Sequence, residues 1–251
     1  MAKKYYVVWA GHTPGVYQTW DECKRQVHGF AGARYKSFPT HIEAENAFKG
    51  STSEIAPKKR GSTSAKGPKT YSAQEVLDHS AKIKIFSDGG CEPNPGKAGS
   101  GIAVYVDKKL KELWYGLFDK CGTNNSAELL ALREAMLRSS GFPSQEQPVA
   151  IFSDSKYSIQ CITEWAVKWK KNGWKKSGGE IKNLELIKEC HSLYEELKGR
   201  VDILHVNGHV GVEGNELADR MTAYTIQKQE TDFVQYPKPF KVDAILNMCA
   251  G

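Results

Sequence analysis

At 251 residues the chain exceeds the roughly 100–200 residues of one ordinary domain, which favours two units. Its 40% hydrophobic and 25% charged residues exclude a wholly disordered chain, a collagen-like fibre and a coiled-coil rod. The longest uninterrupted apolar run, Tyr5–Ala10, has six residues, against the roughly 20 that a membrane-spanning helix needs. The 35 basic residues outnumber the 29 acidic ones, and the pI near 8.8 permits a polyanionic partner without requiring one. Met1-Ala2-Lys3-Lys4-Tyr5 has neither an apolar secretory core nor an Arg/Ser-rich transit composition, so an intracellular home is expected. That means the cytoplasm of a prokaryote, or the nucleus or mitochondrion of a eukaryote. The six cysteines are dispersed, without C-x-x-C or zinc spacing, and are expected as reduced thiols.

Residues 1–50 predict a small α+β module. Tyr5–Trp9 alternates, Gly11–Gly15 is a Gly/Pro turn, and Ala33–Phe38 is a further strand. Thr19 with Glu22 and Thr40 with Glu43 have capping-box spacing, each opening a short helix. From Ser51 to Thr70 only three residues in twenty are apolar, too few to offset the entropy of ordering the stretch. Residues 51–81 are accordingly read as a flexible basic linker. Lys58-Lys59-Arg60 suits a solvated tether, or else a nuclear address.

Three alternating stretches follow, Lys82–Asp88, Gly101–Val106 and Glu112–Phe118, which suggest an antiparallel meander. A helix is expected over about 126–138, a strand at Val149–Ser153 and a helix from about Ser155. A strand at Val201–Val206 and a helix over 215–229 repeat that pattern. Strands alternating with helices after a meander imply a mixed sheet covered by helices, over 82–228. Residues 229–251 contain Pro237 and Pro239 and show no period, which leaves them as a C-terminal extension, either tail or docking segment.

Asp88 and Asp154 each end an apolar strand, where α/β folds commonly place their chemistry, although Asp there also serves as a turn or cap residue. Glu128 shares a helical face with Leu132 and Ala135, and Asp219 shares one with Ala223 and Ile226, so both acids point inward. A buried carboxylate needs an ion pair, a backbone donor or a metal. Were all four to converge, their repulsion would call for cations, and an all-oxygen site suits Mg²⁺ or Mn²⁺. His209, on a Gly-punctuated loop ten residues before Asp219, suits a proton carrier or a surface histidine. Between Trp165 and Lys182 six lysines accompany one glutamate, with Trp165, Trp169 and Trp174 interleaved. That mixture reads as a nucleic-acid face, or as a core stripe at i and i+4.

These motifs together resemble the type 1 ribonucleases H that carry an N-terminal hybrid-binding domain. The resemblance covers about residues 4–49 and 82–228. Its carriers are Phe86-Ser87-Asp88-Gly89-Gly90-Cys91 with Asn94-Pro95-Gly96, Asn124-Asn125-Ser126-Ala127-Glu128-Leu129, Ser153-Asp154-Ser155, and Gly208-His209 with Asn215-Glu216-Leu217-Ala218-Asp219. It implies a ribonuclease H-like α/β fold, a mixed five-stranded sheet with helices, beside a small N-terminal α+β hybrid-binding domain. It further implies that Asp88, Glu128, Asp154 and Asp219 bind two Mg²⁺ ions, Mn²⁺ being a possible substitute, and that His209 assists proton transfer or product release. The reaction implied is internal hydrolysis of the RNA strand of an RNA/DNA hybrid, leaving 5′-phosphate and 3′-hydroxyl ends.

By the same resemblance Asn94, Asn124 and Asn125 read the minor groove, where an amide can meet the 2′-hydroxyl that only RNA offers. Trp165 and Trp169 line a channel for the DNA strand, and Thr123 and Asn183 belong to a DNA-phosphate pocket in which Cys121 stands where vertebrate members have an arginine. In the first module Tyr6, Trp20, Arg34, Tyr35 and Lys36 match the hybrid-binding positions, while Ser37 replaces a second lysine and predicts weaker, not lost, binding. The expected state is a monomer with the hybrid as partner, no membrane and no obligatory protein partner. A non-catalytic hybrid binder or a transposase-like nuclease of the same fold are the rival readings. The intact acidic quartet argues against the first, and the basic protrusion and N-terminal module against the second.

Overall fold

The computed structural model describes residues 4–27, 30, 33–49, 67–142, 148–208 and 211–250. They form two units, divided between Ser64 and Ala65.

In the first unit, β1 (Tyr5–Ala10) lies between β2 (Gly15–Tyr17) and β3 (Arg34–Phe38) in an antiparallel sheet. Helices α1 (Trp20–Val27) and α2 (His41–Lys49) pack against it. Both expected caps are present. The Glu22 N–H donates to Thr19 Oγ1 at 3.3 Å and the Thr19 N–H donates back to Glu22 Oε2 at 3.2 Å, while the Glu43 N–H donates to Thr40 Oγ1 at 3.3 Å. A cap of this kind contributes on the order of 1 kcal/mol, which matters in a unit whose described core is little more than Val7, Val8, Cys23 and Ala44.

The second unit is built on a seven-stranded mixed sheet. Its strands are β4 (Thr70–Tyr71), β5 (Ile83–Glu92), β6 (Gly96–Val106), β7 (Lys109–Gly122), β8 (Val149–Ser153), β9 (Val201–Val206) and β10 (Val234–Gln235). The order is β10-β7-β6-β5-β8-β9-β4. Strands β5 to β7 form the expected antiparallel meander, and β8, β9 and β4 are added in parallel. The five expected strands are all present, and two short edge strands extend them.

One expectation changes here, and one open alternative is decided. The linker read over 51–81 stops short of its end, because β4 and α3 (Ala73–Asp78) are regular structure on the second unit; residues 51–66, with Lys58-Lys59-Arg60, lie outside the described residues. Ser72 caps α3 with Glu75 in a capping box, and Val76 is buried against the sheet. The aperiodic extension, 229–251, docks. Its strand β10 pairs with β7, the Phe233 ring stacks on Trp114, and α9 (Val242–Leu246) buries Ile245.

The remaining helices are α4 (Asn124–Ser140), α5 (Lys156–Gln160), a π-helical turn (Cys161–Trp165), α6 (Ala166–Lys171), α7 (Leu184–Leu197) and α8 (Glu213–Lys228). Period-two alternation divides the strands between two apolar layers. Ile83, Ile85, Ile102 and Ile151 face α4 and α7, while Phe86, Ala103, Tyr105 and Phe152 face α8 and α9. Among the described residues no helix is long and apolar enough to cross a membrane.

Candidate active site

Asp88 lies on β5 opposite Gly101 of β6, and Asp154 directly follows β8, the parallel neighbour of β5. Their strands therefore deliver both carboxyls to one end of the sheet. Helix α4 brings the third: Glu128 lies on its buried face with Leu132 and Ala135. Asp88, Glu128 and Asp154 each place a carboxylate oxygen within 4.8 Å of the others. Helix α4 approaches this closely because residue 89 is glycine; a Cβ there would lie 2.2 Å from the Ala127 carbonyl carbon and 2.3 Å from the Glu128 nitrogen.

Asp219, on α8, is buried and lines the same cleft of about 490 Å³, but it is not one of the three gathered carboxyls. Its carboxylate accepts from the Arg220 guanidinium, whose Nε also donates to the Leu246 carbonyl of the C-terminal extension at 3.2 Å. The expected companions Ala223 and Ile226 are only half-buried. Asn215 and Thr222 share the buried side of α8 with Asp219, so this face is polar where it meets the site.

Asn215, which is not among the expected site residues, donates from Nδ2 to Asp154 Oδ2 at 3.2 Å. Its place four residues before Asp219 was the available signal. Thr222 donates to the Asp88 carbonyl at 2.9 Å, and a Cβ at Gly208 would lie 2.6 Å from Asp154 Oδ2. His209, the expected proton carrier, lies outside the described residues.

Burial pushes the Asp88 carboxyl well above the usual carboxylate range, and the charges of Asp154 and Asp219 push it further. Glu128 is raised by burial and then by Asp88 and Asp154, and its Oε2 is buried without a hydrogen-bond partner. An orphaned buried carboxylate oxygen beside two more carboxyls, with oxygen the only donor type among the described residues of the trio, fits a hard divalent cation.

A proton linkage follows. Because the folded carboxyls hold protons to higher pH than unfolded ones, their contribution to stability is complete below the ordinary carboxylate pKa of about 4. It is lost as pH rises through the raised folded values. The melting temperature of chelator-treated protein should therefore be lower at about pH 8 than at about pH 5. Added Mg²⁺ should raise it more at the upper pH, and Asp88→Asn should flatten both trends; a Mg²⁺ shift independent of pH would contradict the linkage.

The asparagines flank the cleft unequally. Asn124 is on its wall, and its N–H donates to Asn94 Oδ1 at 3.2 Å; Asn125 is exposed. The Thr123 hydroxyl is engaged as the N-cap of α4, in a reciprocal bond with Ser126. Asn183 precedes α7 in the left-handed region, at φ 58°, and its side chain makes no cap bond. Cys121 is exposed at the end of β7. Trp165 and Trp169 serve both readings: they touch at 5.9 Å between ring centroids and pack partly on the core, yet each keeps an accessible edge beside exposed Lys168 and Lys170.

In the first unit Trp20 joins Tyr6 and Tyr35 into a row, with centroids 5.6 and 5.7 Å apart, and Trp20 and Tyr35 are exposed. Ser37 pairs with Tyr6 across the sheet and so takes that same face. Arg34 and Lys36 alternate with Tyr35 on the edge strand and project to its other side, so the five expected contacts are not on one plane.

Comparison with known proteins matches these two units separately. The family described as RNase H matches residues 80–227, and the Ribonuclease H1 N-terminal domain matches residues 4–48. The chain is 32% identical to a ribonuclease H of Schizosaccharomyces pombe, an alignment covering 87% of this chain and 96% of that protein. It is 30% identical to ribonuclease H1 of Mus musculus, covering 90% of each. LC9-RNase H1, described as a type 1 RNase H with the type 2 active-site motif, shares the fold. Its TM-score is 0.52 at 23% identity, over 66% of this chain and 85% of that one. With the catalytic-unit match spanning more than half of its length and relatives aligned nearly end to end, the chain belongs to the ribonuclease H family and carries the N-terminal domain of its H1 members.

Proposed function

We propose that the chain is a metal-dependent endoribonuclease that hydrolyses the RNA strand of RNA/DNA hybrids, leaving 5′-phosphate and 3′-hydroxyl ends. The carrying observation is the trio Asp88, Glu128 and Asp154, gathered within 4.8 Å with one buried oxygen unpaired. Together with Asp219 they would hold two Mg²⁺ ions, or Mn²⁺ in their place. Such ions, when bound, supply an activated water and stabilise the leaving oxygen in phosphodiester cleavage. Asn215 keeps the Asp154 carboxylate oriented at the cleft by donating to its Oδ2. His209 would move a proton or help product leave.

Specificity for RNA is assigned to Asn94, Asn124 and Asn125, and grip on the DNA strand to Trp165, Trp169, Thr123 and Asn183 with the protrusion lysines. The row Tyr6-Trp20-Tyr35 would pack on the sugar-phosphate backbone, with Arg34 and Lys36 on phosphates. The protein acts as a monomer, inside the cell and away from membranes, without an obligatory protein partner. End-labelled hybrid, duplex RNA and duplex DNA, each with Mg²⁺ or chelator, test this reading. Cleavage of hybrid alone, and only with metal, is expected; cleavage of duplex DNA would overturn it.

The N-terminal unit raises the local concentration of hybrid at the catalytic unit, to the millimolar range for a short tether. Removing residues 1–50 should raise the KM for long hybrid by about tenfold or more and shorten processive runs. The single-turnover rate at saturating hybrid should stay within about twofold. Unchanged product lengths under limiting enzyme would contradict this role.

A further inference from the structure

His205 lies near the end of β9, is 3% exposed, and does not line the cleft. Its two ring nitrogens are both engaged. Nε2 lies 3.1 Å from the backbone carbonyl oxygen of Asp154, and Nδ1 lies 2.8 Å from Thr70 Oγ1. A carbonyl can only accept, so Nε2 carries the proton and donates to Asp154. In a neutral imidazole the other ring nitrogen is the acceptor, so Nδ1 accepts from the Thr70 hydroxyl. The result is a directed chain: Thr70 O–H to His205 Nδ1, then His205 Nε2–H to Asp154 C=O.

The geometry is enforced from both sides. Thr70 pairs with His205 across β4 and β9, and Ser153, the residue before Asp154, pairs with His205 across β8 and β9. The Asp154 carbonyl accepts one further backbone bond, from Lys156 N–H at 3.2 Å, where the chain leaves the strand for α5. Here the backbone has left the sheet ladder, and the Asp154 peptide plane determines where its carboxylate points. Thr70 is only a few residues beyond the end of the 50–66 segment that joins the units.

We infer that His205 is a positioning residue for Asp154, and that Thr70, at the exit of the tether, completes the device by fixing the imidazole's tautomer and angle. The first strand after the tether is thereby part of the scaffold of the active site. This inference rests on Asp154 as one of the metal-holding carboxylates.

Two substitutions separate the imidazole's contacts, because a glutamine amide nitrogen approximates Nε2 and an asparagine amide approximates Nδ1. In the full chain, His205→Gln keeps the donor to Asp154, whereas His205→Asn keeps only the link to Thr70. His205→Ala should lower kcat on hybrid by about 10- to 100-fold, the range for groups that orient a metal-holding side chain, with the KM for hybrid within about twofold. Mn²⁺ affinity, measured by calorimetry without hybrid, should fall in parallel. His205→Gln should recover to within about threefold of the parent, His205→Asn should resemble His205→Ala, and Thr70→Val should be intermediate. Recovery by Asn and not by Gln would overturn the inference, since His205 would then serve only to anchor β4. A parent-like kcat and Mn²⁺ affinity in His205→Ala would overturn it as well. Should His205→Ala fail to fold, the contrast between Gln and Asn decides alone. A parent enzyme that does not cleave hybrid would refute the proposed function instead, and the two failures are thus distinct.

Discussion

Asp154→Asn in the full chain should lower hybrid cleavage by at least about three orders of magnitude, while hybrid affinity in Mg²⁺ changes by less than about threefold. The substitution keeps shape and removes one negative charge from the trio. The Asn215 amide, which donates to Asp154 Oδ2, retains an acceptor once the new amide is turned, so the local fold survives. The groups assigned to hybrid, Asn94, Asn124, the protrusion and the N-terminal aromatics, are left untouched. Repulsion on Asp88 and Glu128 is relieved, so the metal-free variant should melt no lower than its parent. Single-turnover cleavage and fluorescence anisotropy on the same hybrid measure the two quantities. Residual cleavage within tenfold of the parent would show that the carboxylates are wrongly assigned.

Gly89→Ala is the second large effect, and it acts through the backbone. The atoms that a Cβ would strike are the Ala127 carbonyl group and the Glu128 nitrogen, none of which can rotate aside as a side-chain tip can. Either β5 buckles or α4 retreats, at a cost of about 2–3 kcal/mol or more. Retreat of α4 also draws Glu128 away from Asp88. Urea denaturation should show the lost stability, and kcat per folded molecule at low temperature should still fall at least about tenfold. Gly178→Ala, where nothing lies within 4 Å of the added methyl, is the matched control and should leave both unchanged. Equal behaviour of the two variants would mean that the close approach of α4 is not what sets the site.

What the sequence disclosed depended on whether a residue's burial shows in its apolar neighbours. Glu128 was legible because Leu132 and Ala135 share its helical face. Asp219 was placed inward, but by the wrong companions: Asn215 and Thr222 are buried through hydrogen bonds to Asp154 and Asp88, and such burial leaves no hydrophobic period. His205, between Leu204 and Val206, reads as an ordinary outward residue of an alternating strand, and its partner Thr70 is 135 positions away. The α3 capping box, Ser72 with Glu75, was as readable as the one at Thr19, yet the helix buries a single apolar residue and follows a polar tract. Helix α7 is marked by Ile187, Cys190, His191 and Leu197 on its buried face, but the histidine there interrupts the apolar period that would announce it. Pro237 and Pro239 break any period in the extension, so only its partners, Trp114 and the edge of β7, reveal where it goes.

That last pairing bears on how the protein is made. The outer rim of β7 offers bare amide and carbonyl groups until Val234 and Gln235 arrive, more than a hundred residues later in synthesis. At roughly 5–20 residues per second, a nascent catalytic unit spends several seconds on the ribosome with a sticky flank, open to pairing with a neighbouring nascent chain. Messages translated slowly between the codons for Gly122 and Val234 would prolong that exposure, and a yield of native enzyme that depends on translation speed there is the signature to seek.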